Sequence, residues 1–147
     1  MIIKGLQKLS VIDFPEKFAA VVFLPGCNFR CPFCQNPDLV LKPDSLESIS
    51  EGKFFEFLRQ RKSWLDGVVI TGGEPTLHLD LPEFVKKIKQ LGYAVKIDTN
   101  GSNPDLLKRC IEAGVDYIAM DIKNSKQKYS MTAGTDVDLK SIEESIK

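Results

Sequence analysis

Four short, Val- and Ile-rich runs, at 19–24, 67–71, 94–99 and 117–122, alternate along the chain with segments whose apolar residues recur every three or four positions. Runs of this length and composition predict strands, and their near-continuous apolar character predicts burial on both faces. Between them the 3.6-residue period predicts helices. The first, over 51–61, gathers Phe54, Phe55 and Leu58 on one side, a pattern of core packing. The second takes Asp80 as its N-cap, with Glu83 three residues on, Pro82 in the first turn, a stripe of Phe84, Val85, Ile88 and Leu91, and Gly92 just past its end. A third begins at Pro104 after Asn103 and ends at Gly114, and a fourth is read from Asp138 to the C-terminus. Residues 1–17 carry alternating signals ahead of the first strand. Strands and helices in alternation predict an α/β fold built on a parallel sheet or barrel.

A chain of 147 residues, 43% hydrophobic, is long enough for one substantial core, so a single domain over 1–147 is expected. Twenty basic and twenty acidic side chains cancel without a Lys/Arg block, which argues against nucleic-acid binding. The longest apolar run, 18–24, stops at Pro25, far short of the ~20 residues of a membrane span. No charged segment followed by an apolar one opens the chain, so a cytoplasmic protein is expected. In that compartment clustered cysteines point to metal or catalysis more than to disulfides.

Polar and glycine-rich residues follow each predicted strand: Pro25-Gly26-Cys27, then Gly72-Gly73-Glu74-Pro75, then Asp98-Thr99-Asn100-Gly101, and finally Asp121-Ile122-Lys123. The C-terminal ends of parallel strands share one rim, where such folds place their chemistry. On that rim Cys27, Cys31 and Cys34 form the densest signal. Soft thiolates select zinc or iron-sulfur clusters, and three of them at this spacing can hold an iron-sulfur cube with one corner open. The fourth cysteine, Cys110, falls in a predicted helix stripe with Leu107 and Ile111 and reads as a small buried hydrophobe. Gly72 and Gly73 permit close backbone approach, so the main-chain groups of Gly73 and Glu74 are candidates for binding a polar ligand. Asp98, Asp121 and Lys123 suit a zwitterion or a small cation, with surface ion pairs or helix caps as the alternative. Asn100-Gly101 is also a turn dipeptide. His78, the sole histidine, is either packed in a loop or the fourth ligand of a Cys3His zinc site.

Together, Cys27-x3-Cys31-x2-Cys34, Phe33 before the last cysteine, and Gly-Gly-Glu-Pro after the next strand resemble the radical S-adenosylmethionine (SAM) superfamily. The resemblance implies a partial parallel (β/α) barrel and a [4Fe-4S] cluster on Cys27, Cys31 and Cys34, whose open iron is chelated by SAM. It further implies that Phe33 borders the adenine, that Gly73 and Glu74 meet the SAM amino group, and that Lys123 meets the methionyl carboxylate. Asp98, Thr99 and Asp121 match positions that glycyl-radical activases use around SAM and a nearby monovalent cation. Residues 5–15 and the run Gln35-Asn36-Pro37-Asp38-Leu39-Val40 resemble the activating proteins of anaerobic ribonucleoside-triphosphate reductase, with pyruvate formate-lyase activating enzyme a near relative. The implied reaction is reductive cleavage of SAM, fed by a low-potential electron donor, and abstraction of a glycine hydrogen from the partner reductase.

Two departures stand out. The superfamily core typically has six strand-helix units and four are legible here, so a barrel lacking its C-terminal units is expected. Gln35 stands where such activases often carry His. Two other readings remain beside the activase: a radical SAM enzyme acting on a small molecule, such as a deazapurine synthase, and a non-catalytic zinc module on Cys27, Cys31, Cys34 and His78.

Overall fold

The computed structural model describes residues 1–147. Its strands are β1 (Gly5–Ser10), β2 (Ala19–Leu24), β3 (Gly67–Gly72), β4 (Ala94–Thr99) and β5 (Tyr117–Met120). Its helices are α1 (Pro37–Leu41), α2 (Glu51–Gln60), α3 (Leu81–Gln90), α4 (Pro104–Glu112), α5 (Tyr129–Ala133) and α6 (Leu139–Ile146). The sheet runs in sequence order, β1-β2-β3-β4-β5, with β1 antiparallel to β2 and all other pairs parallel. One face of β2, β3 and β4, through Val22, Ile70 and Ile97 among others, packs on Phe54 and Leu58 of α2, Phe84 and Ile88 of α3, and Leu106 and Cys110 of α4. Sequential strands with every crossover helix on one face are the winding of a (β/α) barrel, here open.

The N-terminal alternation becomes β1, an antiparallel edge strand whose register slips between Gln7 and Ser10. Past that slip the chain turns under the sheet and delivers Phe14, 3% exposed, against Ala19, Val21 and Val69 on the face opposite the helices. Phe14 reaches across to Tyr117 of β5, with ring centroids 6.2 Å apart, and Lys96 Nζ on β4 donates to Asp13 O at 2.6 Å. Phe14 therefore covers the lower end of that face. The rim that carries the cysteine loop lies at the other end of the same strands.

Several expectations need correction. β5 ends at Met120, and it is not buried on both faces: Tyr117 is 44% exposed, because β5 is an edge strand with no outer neighbour. Asp80 occupies the N-cap of α3 but makes no capping bond there; its carboxylate pairs with the Met1 ammonium at 2.9 Å, so the anticipated capping box does not form. In α4 the stripe is Leu106, Leu107 and Cys110, whereas Ile111 is exposed, since one residue further turns the helix by about 100°. Elsewhere the cap signals hold. Asn103 Oδ1 accepts from Leu106 N at 3.2 Å, Asp138 Oδ1 accepts from Lys140 N at 3.0 Å, and Gly92 takes φ +78 beyond α3.

Candidate SAM and cluster site

Two loops cross at the centre of the rim. Gly73 N donates to Leu24 O at 2.9 Å and Glu74 N to Gly26 O at 2.7 Å, which draws the loop after β3 onto the start of the cysteine loop. Both glycines serve this crossing: a Cβ on Gly72 would lie 2.4 Å from the Leu24 backbone, and one on Gly73 would lie 1.8 Å from Gly26 O. The main-chain N–H groups of Gly73 and Glu74 are thus spent within the protein, which leaves the Gly73 carbonyl as the main-chain group open to a polar ligand.

Glu74 has an inward role as well. Only 1% exposed, its Oε1 accepts from Thr76 N, Thr76 Oγ1 and Thr99 Oγ1 at 3.0, 2.6 and 2.6 Å, and its Oε2 accepts from Asn100 N at 2.6 Å. One carboxylate thus fastens the end of β4 to the loop after β3. Thr99 is engaged in the same way, since its hydroxyl also accepts from Gly101 N at 3.1 Å.

The cysteine loop is braced from the opposite side by α5. Arg30 N donates to Ala133 O at 2.7 Å, and Phe29 is buried with Tyr129, Ala133 and Ile142, against which Cys27 and Cys31 also pack. Arg30 Nη1 folds back onto the carbonyls of Cys27 and Phe29 at 2.6 and 2.8 Å. The three thiols remain half-buried, while Cys110 is fully enclosed in the main core. Burial pushes the Cys27 thiol above its ordinary value, partly offset by the N–H of Phe29 at 3.3 Å from its sulfur. No three His, Cys, Asp or Glu groups gather at the spacing of a single metal ion. Nor does His78 approach as a ligand: its Nε2 meets Pro25 O at 2.9 Å, a loop-packing role. Three soft donors on one loop, lining one cavity and not grouped as the ligands of a single ion, fit a cubane cluster.

That cavity, about 780 Å³, is lined by Cys27, Cys31 and Cys34 together with Phe33, Gly73, Glu74, Asp98, Thr99, Asp121 and Lys123. Every residue singled out for the cluster or for SAM meets there, and His78 does not line it. Lys123 Nζ pairs with Asp121 Oδ2 at 2.9 Å and stands 5.8 Å from the centre of the exposed Phe33 ring. Burial disfavours the Lys123 ammonium, but Asp121 outweighs it and raises the pKa, so the cation persists at neutral pH. Asp98 Oδ1 lies 2.6 Å from Lys96 Nζ, an ion pair made by proximity without hydrogen-bond alignment. Burial pushes the Asp98 carboxyl above the ordinary aspartate range, against the pull of Lys96 and Thr71.

Sequence reasoning missed Lys96, whose charge inside a strand carried no motif, and underrated Asn100. The Asn100-Gly101 pair does turn, with Gly101 at φ +74, but Asn100 itself is 5% exposed and lines the cavity. A buried Asn immediately after a strand is the signal that was available.

Residues 21–147 match the family described as the Radical SAM superfamily. A Methanocaldococcus jannaschii protein described as a glycyl-radical enzyme activating enzyme is 39% identical over 131 residues, covering 87% of this chain and 52% of that protein. The pyruvate formate-lyase-activating enzyme of Listeria monocytogenes is 31% identical over 132 residues, covering 82% and 52%. The 7-carboxy-7-deazaguanine synthase of Aquifex aeolicus is 40% identical over 98 residues, covering 63% and 39%. The chain therefore spans about half the length of the curated activases it matches. The crystal structure of QueE from Escherichia coli aligns with a TM-score of 0.59 over 97% of this chain and 66% of that one, at 19% identity, a likeness of fold. By the match over residues 21–147, and by the cysteine loop and glycine crossing that the fold assembles, the chain belongs to the radical SAM superfamily.

Proposed function

We propose that the chain is the SAM-cleaving part of a glycyl-radical enzyme activase whose partner is anaerobic ribonucleoside-triphosphate reductase, supplied by a low-potential electron donor. The observation that carries this reading is the convergence of the three thiols and the rim residues of four strands on one cavity. The relatives named as activases, each matched over more than four-fifths of this chain, support the class of substrate. The reductase as partner is supported by the resemblance of residues 5–15 and 35–40.

In this reading Cys27, Cys31 and Cys34 hold a [4Fe-4S] cluster, which supplies the electron that splits SAM into methionine and a 5'-deoxyadenosyl radical. Lys123 binds and orients the methionyl carboxylate, keeping its charge because Asp121 stabilises the ammonium. Phe33 offers its face to the adenine from the cavity mouth. Gly73 keeps its carbonyl for the SAM amino group, as its N–H is committed to Leu24. Glu74 and Thr99 hold the rim in shape. Asp98 and Asp121 supply the carboxylates for a monovalent cation, which must compete with Lys96 and Lys123 for them. No helix is long and apolar enough to cross a membrane, and a cytoplasmic location belongs to the same proposal.

A second reading has one observation in its favour, the 40% identity to a 7-carboxy-7-deazaguanine synthase. Anaerobic reconstitution followed by mixing with SAM, a reductant and the reductase separates the two. Activase function yields 5'-deoxyadenosine and a glycyl-radical signal on the reductase by electron paramagnetic resonance. Cleavage of SAM without that signal, or absence of cleavage, overturns it.

A further inference from the structure

The three thiols are not equivalent. Phe29 N approaches Cys27 Sγ at 3.3 Å and Asn100 Nδ2 approaches it at 3.9 Å, while neither Cys31 Sγ nor Cys34 Sγ receives a hydrogen bond. The first donor is main chain. The second is a side chain from another strand end, 73 residues away in sequence.

Which end of the Asn100 amide faces the sulfur is settled by its other partners. Ser102 N, which can only donate, lies 2.9 Å from Oδ1, so that atom is the carbonyl oxygen. The NH2 group therefore points to Cys27 and, at 2.9 Å, to Asn28 Oδ1. Asn28 is held in turn, its own Nδ2 donating to Ser102 Oγ at 2.8 Å. Behind the amide, Asn100 N is bound by Glu74 Oε2. A buried amide fixed at its backbone, its oxygen and its nitrogen cannot turn away from the sulfur.

From this geometry we infer that Asn100 is a positioning residue for Cys27 that aims an N–H at its sulfur and thereby raises the reduction potential of the cluster. The inference rests on the cluster assignment above. An electron added to an iron-sulfur cluster spreads onto its sulfur ligands, and a donor aimed at one of them stabilises the reduced form. Asn100, tied to Glu74 through its backbone N–H, also sets where Cys27 stands relative to the Gly-Gly-Glu-Pro loop.

The test is a redox titration, followed by electron paramagnetic resonance, of the anaerobically reconstituted chain without SAM. Wild type is compared with Asn100→Asp, which keeps the shape but replaces the donor by an oxygen, and with Asn100→Ala, which is neutral. Iron content and melting temperature are read on the same samples. Both variants are expected to shift the midpoint to more negative potential, Asn100→Asp further because it adds a charge. A variant that melts like wild type but no longer holds iron also supports the inference, through the positioning of Cys27. Unchanged midpoints at full iron content, a shift to more positive potential, or loss of iron only together with loss of the fold overturns it. Failure of the wild type to take up iron overturns the cluster assignment as well, which distinguishes the two failures.

Discussion

A methyl group on Gly73 would lie 1.8 Å from the carbonyl oxygen of Gly26, the residue immediately before Cys27. The obstruction is backbone, so it cannot rotate aside. Gly73→Ala must therefore push the cysteine loop off its seat, and we expect loss of iron along with about 1–3 kcal/mol of stability. Iron per chain and urea denaturation test this. As a control, a Cβ at Gly52 meets nothing within 4 Å inside α2, so Gly52→Ala should stabilise by about 0.5–1 kcal/mol with iron unchanged.

Replacing Cys27, Cys31 or Cys34 by Ala should abolish cluster uptake, whereas Cys110→Ala should retain it. Burial pushes the Cys110 thiol up to about 12, so it stays protonated and inert at any working pH. Its removal leaves a small cavity, costing about 1–2 kcal/mol. Iron analysis, and alkylation of the apo-protein in which Cys110 alone resists the reagent, check the assignment. A full cluster in Cys31→Ala would refute it.

Glu74→Gln tests the inward role of that carboxylate. However the new amide is turned, its NH2 confronts a main-chain N–H, either Thr76 N on one side or Asn100 N on the other. One buried donor is then left without a partner, at a cost of about 1–3 kcal/mol. A lower urea midpoint is expected. No change in midpoint would mean the carboxylate is not a tie between the loops.

Lys123→Met lies outside the cysteine loop and removes the cation that lines the cavity 5.8 Å from the centre of the Phe33 ring. We expect SAM affinity to fall about ten- to a hundredfold, the equivalent of one charge-assisted hydrogen bond, with iron content unchanged. Equilibrium binding in matched cluster states measures it, and equal affinity would remove Lys123 from the SAM site.

Asp116 gives a pH signature at the seam between β4 and β5. Burial pushes its carboxyl up, but Lys89 at 2.6 Å and Val95 N at 2.7 Å outweigh burial and hold it below the ordinary aspartate range. The native chain therefore releases this proton more readily than the unfolded one. Its stabilisation is fully present above about pH 4, the ordinary aspartate range, and is lost as pH falls through the lower native value. Asp116→Asn should thus be less stable than wild type at neutral pH, with the gap closing on acidification. Urea denaturation at stepped pH checks this, and a gap constant to low pH would contradict it.

The sequence by itself determined the strand-helix alternation, the helix ends marked by Asn103, Asp138 and Gly92, and the identity of the three thiols. These features are local: periodicity, cap chemistry and ligand spacing are set by residues within a turn or two of each other. It also placed the rim residues on one edge, because parallel strands leave no other place for their C-terminal ends. Only the tertiary structure decided how each rim residue is used. Gly73 serves a crossing with Gly26, 47 positions earlier, and Glu74 serves Thr99 and Asn100 beyond the next helix. Phe14, in a segment that read only as alternation, came to cover the face opposite the helices, and β5 stayed half-exposed for want of a neighbour. A residue's type limits what it can donate, accept or bury; its partners are chosen by chain crossings that bring distant positions within reach. For Glu74 and Asn100 those crossings tie the loop after β3 to the end of β4 beside Cys27.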